Sequence, residues 1–180
     1  MIFFLAEQNA PVSVNKPASQ GFREQSMEET IRHFNIRVYA LVLNSRREVL
    51  LSDEFQMGMR MTKFPGGGMH FGEGTLDCLH REMMEEFSQD VEVIRHYYTT
   101  DFFQKALFYD DHQLISIYYL CRLKGEPRFP VSTVPFEEVK DVNGSQAARW
   151  ISLRELYPDK YLSFPVDRHV AKMLITDQTL

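Results

Sequence analysis

The chain lacks most of what would tie it to a membrane, a nucleic acid or an oxidising compartment. No apolar run approaches the ~18 residues that a bilayer-spanning helix needs. Ile2 to Ala6 is apolar, but it has no basic flank and is too short for the core of a signal peptide. Basic residues are outnumbered, with 20 Lys and Arg against 25 Asp and Glu, and the net charge of −5 gives no general attraction to nucleic acid or acidic lipid. There are two cysteines, Cys78 and Cys121, without a short metal-type spacing. They read as reduced thiols of a cytoplasmic protein rather than as a disulfide. Internal repeats and low-complexity tracts are also missing.

What remains is globular composition. The chain has 180 residues, 44% hydrophobic and 13% aromatic, which predicts one domain with a sizeable core. Residues 1–30 contain Pro11, Pro17 and Gly21 without a sustained period. This stretch reads as a poorly ordered arm, with Met27 as an alternative start, and the folded domain is placed at residues 31–180. Within it, Phe34 to Leu43 alternates and then runs apolar, as a strand does. Asn44–Arg47 reads as a turn and Glu48–Ser52 as the returning half of a hairpin. Arg60–Phe64 is a short strand leading into the glycine loop 66–68. A helix follows at about 74–87. Strands are expected at 91–103, 114–123 and 147–152, with a long loop at 125–145. Ser152–Leu156 is expected to open a short helix, and Pro165–Ile175 a terminal one.

The helix carries the chemistry. Glu82, Glu85 and Glu86 crowd one arc of its last turn. Like charges three or four residues apart cost about 0.2–0.5 kcal/mol, and the C-terminal end of a helix disfavours anions by about 0.3–1 kcal/mol each. A solvated acidic face is the bland account of such a cluster. A hard divalent cation, which takes oxygen ligands, is the account that explains its cost. Leu76, Leu79, Met83 and Phe87 occupy the neighbouring arc and are expected to dock on the sheet. The glycines Gly66, Gly67 and Gly68 come just before and permit positive φ and close backbone approach to a ligand.

In order, Gly67, five residues, Glu73, seven residues, and Arg81-Glu82-Met83-Met84-Glu85-Glu86 resemble the Nudix box, G-x5-E-x7-R-E-U-x-E-E-x-G-U, where U is bulky and apolar. Phe64-Pro65-Gly66-Gly67 looks like the usual approach, and Ala148 to Leu156 is similar to a late strand-plus-helix segment of the family. The resemblance spans about residues 32–178. It departs at Ser88, where the family has the glycine that closes the helix left-handed, and at Gln89, where it has an apolar residue. Serine there implies about 1 kcal/mol of strain or a different helix end, and Gln89 a more exposed turn.

The resemblance implies an α+β fold, the Nudix-type α/β/α sandwich with a mixed sheet. It also implies divalent-metal-dependent hydrolysis of a pyrophosphate bond in a nucleoside diphosphate linked to another moiety. Glu82, Glu85, Glu86 and the Gly66 carbonyl would be ligands to Mg2+, with Mn2+ as the alternative. The base would be Glu82 or a distant carboxylate, and Glu86 belongs to the same catalytic set. Arg81 and Glu73 would orient the helix. The partner would be a small nucleotide-linked substrate, with no nucleic acid and no membrane, and a homodimer is an open option because many relatives pair. A non-catalytic domain that binds a nucleotide-linked metabolite is the rival. An isoprenyl diphosphate isomerase would want a catalytic cysteine on a strand near the glycine loop, and neither Cys78 nor Cys121 is so placed.

The remaining candidates are individually weaker. Arg37, Arg60 and Lys63, with Gly67, could hold substrate phosphates. Glu138 leads Glu137 and Asp141 as a further carboxylate from the long loop. Tyr97, Tyr98, Phe102, Phe103 and Phe108 could include a platform for a nucleobase, although aromatics at strand spacing are more often core. His70 reads as a loop residue, and Cys78 as a buried thiol rather than a nucleophile.

Overall fold

A strand with one wet face alternates; the first strand here does not, because both of its faces are covered. In the computed structural model, which describes residues 31–180, β1 (His33–Val42) ends in five buried residues. Val38, Ala40 and Val42 face one apolar cluster, while Tyr39 and Leu41 face the other. The first cluster packs against the acidic helix α1 (Thr75–Phe87) through Cys78, Leu79, Met83 and Phe87. The second packs against α3 (Pro165–Thr176) through Val166, Val170, Ala171 and Leu174. The result is helix, sheet layer and helix: an α+β sandwich of the Nudix type. The N-terminal arm and the Met27 start lie outside the described residues. Among the described residues no helix is long and apolar enough to cross a membrane.

The sheet layer is two four-stranded sheets, each mixed. The remaining strands are β2 (Glu48–Gln56), β3 (Met59–Lys63), β4 (Gly66–Gly68), β5 (Val91–Thr99), β6 (His112–Leu123), β7 (Val131–Ser132) and β8 (Ser145–Ser152). The orders are β4-β1-β6-β5 and β3-β2-β8-β7. β1 runs parallel to β6 and antiparallel to β4, and β7 runs parallel to β8.

Three expectations need correction. β1 and β2 are not a hairpin: beyond one isolated bridge, Leu43 to Val49, they belong to different sheets. The hairpin is β2–β3, closed by Met57 (φ 51°) and Gly58 (φ 74°), the two positive φ values that a tight primed turn demands. The glycine run is a strand, with Val38 paired to Gly67 and Tyr39 to Gly66. The short helix is α2 (Pro158–Tyr161), not 152–156; Leu153–Glu155 is a turn, and proline starts the helix where its missing N–H costs nothing.

The end of α1 resolves the two departures from the box. Ser88 does take the left-handed conformation, φ 50° and ψ 32°; its N–H donates to the Met84 carbonyl at 3.0 Å, and the Gln89 N–H to the Met83 carbonyl at 3.5 Å. Ser88→Gly is therefore expected to stabilise the domain by about 1 kcal/mol, read as a higher urea midpoint at unchanged m. Gln89, expected in an exposed turn, is buried. Its amide is satisfied on both sides, donating to the Lys124 carbonyl at 2.8 Å and accepting from Arg128 N–H at 3.1 Å. Leu76, placed on the docking arc by the wheel, is exposed, and Cys78 takes its place in the core.

Candidate active site

β4 and α1 meet at the site, and the glycines decide how closely. At Gly66 (φ 130°) a Cβ would overlap the Val38 carbonyl oxygen and lie 2.8 Å from Tyr39 Cα. At Gly67 a Cβ would lie 2.6 Å from Glu82 Cδ. The missing side chains let the edge strand lie under the acidic arc of the helix. Together they wall a cavity of about 390 Å3, lined also by Arg37, Tyr39, Glu54, Lys63, Phe108, Gln146 and Asp167. That volume suits a small ligand.

The glutamates do not share one centre. Among the described residues no three His, Cys, Asp or Glu side chains are grouped so as to hold a metal. Arg81 takes one part of the cluster. Its Nε donates to Glu73 Oε1 at 2.5 Å and its Nη2 to Glu73 Oε2 at 3.0 Å. Its Nη1 reaches Glu82 Oε1 at 2.7 Å and Glu85 Oε2 at 3.1 Å, and Nη2 also meets the Gly68 carbonyl at 2.9 Å. The bonds from Arg81, then the His70 N–H, hold the Glu73 carboxyl down at about 2. Lys63 takes the other part, bonding Glu86 and Glu54. Glu86 Oε2 accepts the Gly66 N–H at 2.9 Å, and Gln146 Nε2 caps the Glu86 carbonyl at 2.6 Å. Burial, more than any neighbour, pushes the Glu86 carboxyl above its ordinary range, against the pull of Lys63.

Glu82, Glu86 and the Gly66 carbonyl offer only oxygen, two carboxylates and one neutral carbonyl, the chemistry that suits a hard divalent cation, with Lys63 now bonded to Glu86 and to that carbonyl. Glu85 is exposed and turned to Arg81. Arg37 lines the cavity, its Nε donating to the Tyr39 hydroxyl at 2.6 Å. Arg60 does not line it: it points outward to Asp141 at 2.9 Å. Glu138 is exposed and away from the cavity, as are Glu137 and Asp141. Of the five aromatics, Phe108 faces the cavity, edge-on to Phe164 at 6.5 Å; Tyr98 is core, and Tyr97, Phe102 and Phe103 lie elsewhere. His70 sits exposed 3.7 Å from Glu73. Cys78 is buried, and burial lifts its thiol to about 11, the reverse of what a nucleophile requires.

Sequence reasoning missed Glu54, Gln146, Tyr118 and Asp167. Glu54 was legible in principle as a carboxylate just past an apolar strand; the others come together only through tertiary packing. Asp167 is buried at the cavity floor. One oxygen accepts the Tyr118 hydroxyl at 2.6 Å, and the other has no partner among the described residues. Burial lifts its carboxyl to about 6 from an ordinary 3.8. Between these values the folded chain keeps a proton that the unfolded chain has released. The acid form therefore favours folding at low pH, and that contribution is lost as pH rises through about 6. Stability is expected to fall by about 3 kcal/mol between pH 3 and 7 on this account, and Asp167→Asn is expected to remove that slope. Urea titrations of both proteins at half-unit pH steps read the difference.

The NUDIX domain model matches residues 33–173. A comparison with curated proteins found no match. Among solved structures, a NUDIX hydrolase from Nitrosomonas europaea is similar at TM-score 0.59 and 15% identity, covering 77% of this chain and 86% of that one. A MutT NUDIX hydrolase from Burkholderia pseudomallei is similar at TM-score 0.59 and 17% identity, covering 78% and 98%. An ADP-ribose pyrophosphatase from Streptococcus suis is similar at TM-score 0.51 and 20% identity, covering 80% and 93%. At such identities the structures speak for the fold alone, while the domain model covers well over half of the sequence: the chain belongs to the NUDIX family.

Proposed function

We infer that the chain hydrolyses a pyrophosphate bond in a nucleoside diphosphate linked to a second moiety. One observation carries this reading: Glu82, Glu86 and the Gly66–Gly68 strand form one wall of a cavity whose other walls bring Arg37, Lys63 and Phe108. Glu82, Glu86 and the Gly66 carbonyl, with Glu85 at the rim, would hold Mg2+ or Mn2+. Bound there, the ion would neutralise phosphate charge and lower the pKa of a water.

The chain's own groups do the rest. Gly67 lets a phosphate approach the backbone without a side chain in the way. Arg37, braced by Tyr39, meets phosphate oxygens. Arg81, fixed by Glu73, holds Glu82 Oε1 and leaves Oε2 beside Gly67, where it can accept the proton of the attacking water. Phe108 and Phe164 give the nucleoside an apolar wall. Arg60 and Glu138 have no part in this arrangement.

The test is incubation with Mg2+ and a panel of nucleoside triphosphates, sugar nucleotides, dinucleoside polyphosphates and dinucleotide cofactors, with phosphate release followed after coupling to a phosphatase. Turnover of at least one class is expected. Ligand-induced thermal shifts without turnover would instead identify a binding domain.

A further inference from the structure

Lys63 stands where the acidic cluster most needs a cation. Its ammonium lies 2.6 Å from the Gly66 carbonyl, 2.8 Å from Glu86 Oε1 and 2.9 Å from Glu54 Oε1. Its side chain is 5% exposed. An ammonium has three N–H donors and no acceptor, and here each donor has an oxygen. The same kind of oxygens, carboxylate and backbone carbonyl, would ligate a hard divalent ion. Two of them, Glu86 and Gly66, belong to the donor set assigned above to the metal.

The two cations therefore compete for one position. Expelling a saturated, buried ammonium would leave its three donors to find new partners, and truncating one member of a buried pair leaves the other charge uncompensated. Arg37 already occupies the neighbouring wall of the cavity. β3 delivers Lys63 three residues before Gly66, while the Glu82 carboxylate lies against Gly67.

We propose that Lys63 is a built-in cation that keeps the Glu54–Glu86–Gly66 position, so that the site takes one divalent ion fewer than its carboxylates would support and takes it on the Glu82 side. The inference rests on the metal-dependent reading above. It makes Lys63 a positioning residue for Glu86 and the Gly66 carbonyl, rather than the free phosphate ligand that the sequence implied, and it narrows the ligand set given above: with Glu86 Oε1 and the Gly66 carbonyl held by Lys63, Glu82, with Glu85 at the rim, is left to hold the ion.

Two measurements test it, neither of them turnover. In the first, Mn2+ is titrated into wild type and Lys63→Met at pH 7.5, and free ion is counted by electron paramagnetic resonance. The variant is expected to bind one more Mn2+ per chain, and its thermal midpoint to rise with Mn2+ more than that of wild type. Equal stoichiometry would overturn the proposal. The second uses wild type alone, so a variant that fails to fold cannot shelter the idea. Reductive methylation with and without Mg2+, mapped by peptide mass, is expected to modify Lys63 at least tenfold more slowly than the exposed Lys105 and Lys140 under both conditions. If Mg2+ brings Lys63 up to the exposed rate, the ion displaces the ammonium and the proposal is wrong. A protected Lys63 in a protein that turns over no member of the phosphate panel would sink the hydrolase reading and leave this one standing.

Discussion

Glu82→Gln is expected to lower kcat/KM for the best substrate by about 10^3-fold, equivalent to about 4 kcal/mol of transition-state stabilisation, with little change in stability. The substitution is nearly isosteric. A glutamine carbonyl can still accept from Arg81 Nη1 as Glu82 Oε1 does now, so the helix stays in place while the charge beside Gly67 disappears. Glu86→Gln is a different experiment. Both Glu86 oxygens accept bonds, Oε1 from Lys63 and Oε2 from the Gly66 N–H. An amide must turn an NH2 toward one of these donors, leaving it unsatisfied in a buried place at about 1–3 kcal/mol. That variant is expected to lose activity to a similar degree and also to unfold at lower urea. Steady-state kinetics with Mg2+ and urea curves on the same preparations separate the two effects. Wild-type rates in both variants would show that the catalytic carboxylates lie elsewhere.

What could be read from the chain divides along the range of the interactions. The acidic helix, its docking face and the glycine approach were legible because spacing within about twenty residues fixes them. Ser88 was legible as a strained cap for the same reason. The β1–β2 hairpin was misread because Asn44–Arg47 is a convincing turn. The counter-evidence was the unbroken apolar run at 38–43: a strand covered on both faces has no reason to pair with its sequence neighbour. Arg60 and Lys63 were grouped as phosphate ligands, yet they stand an odd number of residues apart on one strand and must face opposite sides. Period-two bookkeeping would have separated the outward Arg60 from the inward Lys63. Asp167 and Gln146 had no such signal. Their chemistry exists only once α3 and β8 close over the cavity, and nothing near them in sequence marks it.

The largest stability effect is expected at a pair that no motif or spacing in the chain marks. Arg149 on β8 and Asp53 on β2 are 3% and 1% exposed. The guanidinium meets the carboxylate in a fork, Nε to Oδ2 at 2.7 Å and Nη2 to Oδ1 at 2.9 Å. Thr62 Oγ1 adds a bond to Oδ1 at 2.6 Å and the Phe136 N–H one to Oδ2 at 3.3 Å. The four groups come from β2, β3, β8 and the long loop, so the pair ties the second sheet to the segment that supplies Gly144, Ser145 and Gln146 to the cavity wall. Arg149→Met removes the only cation in this network and leaves Asp53 charged, buried and half-satisfied. Breaking such a pair from one side costs about 3–5 kcal/mol, a large share of a typical domain's stability. Adding Asp53→Asn, which keeps the acceptor for Thr62 and removes the stranded charge, is expected to recover at least a third of the loss. Urea unfolding of the wild type, both single variants and the double closes the cycle. A coupling near zero would mean that the two strands are held by their backbone ladder and apolar faces alone, with the fork contributing only direction.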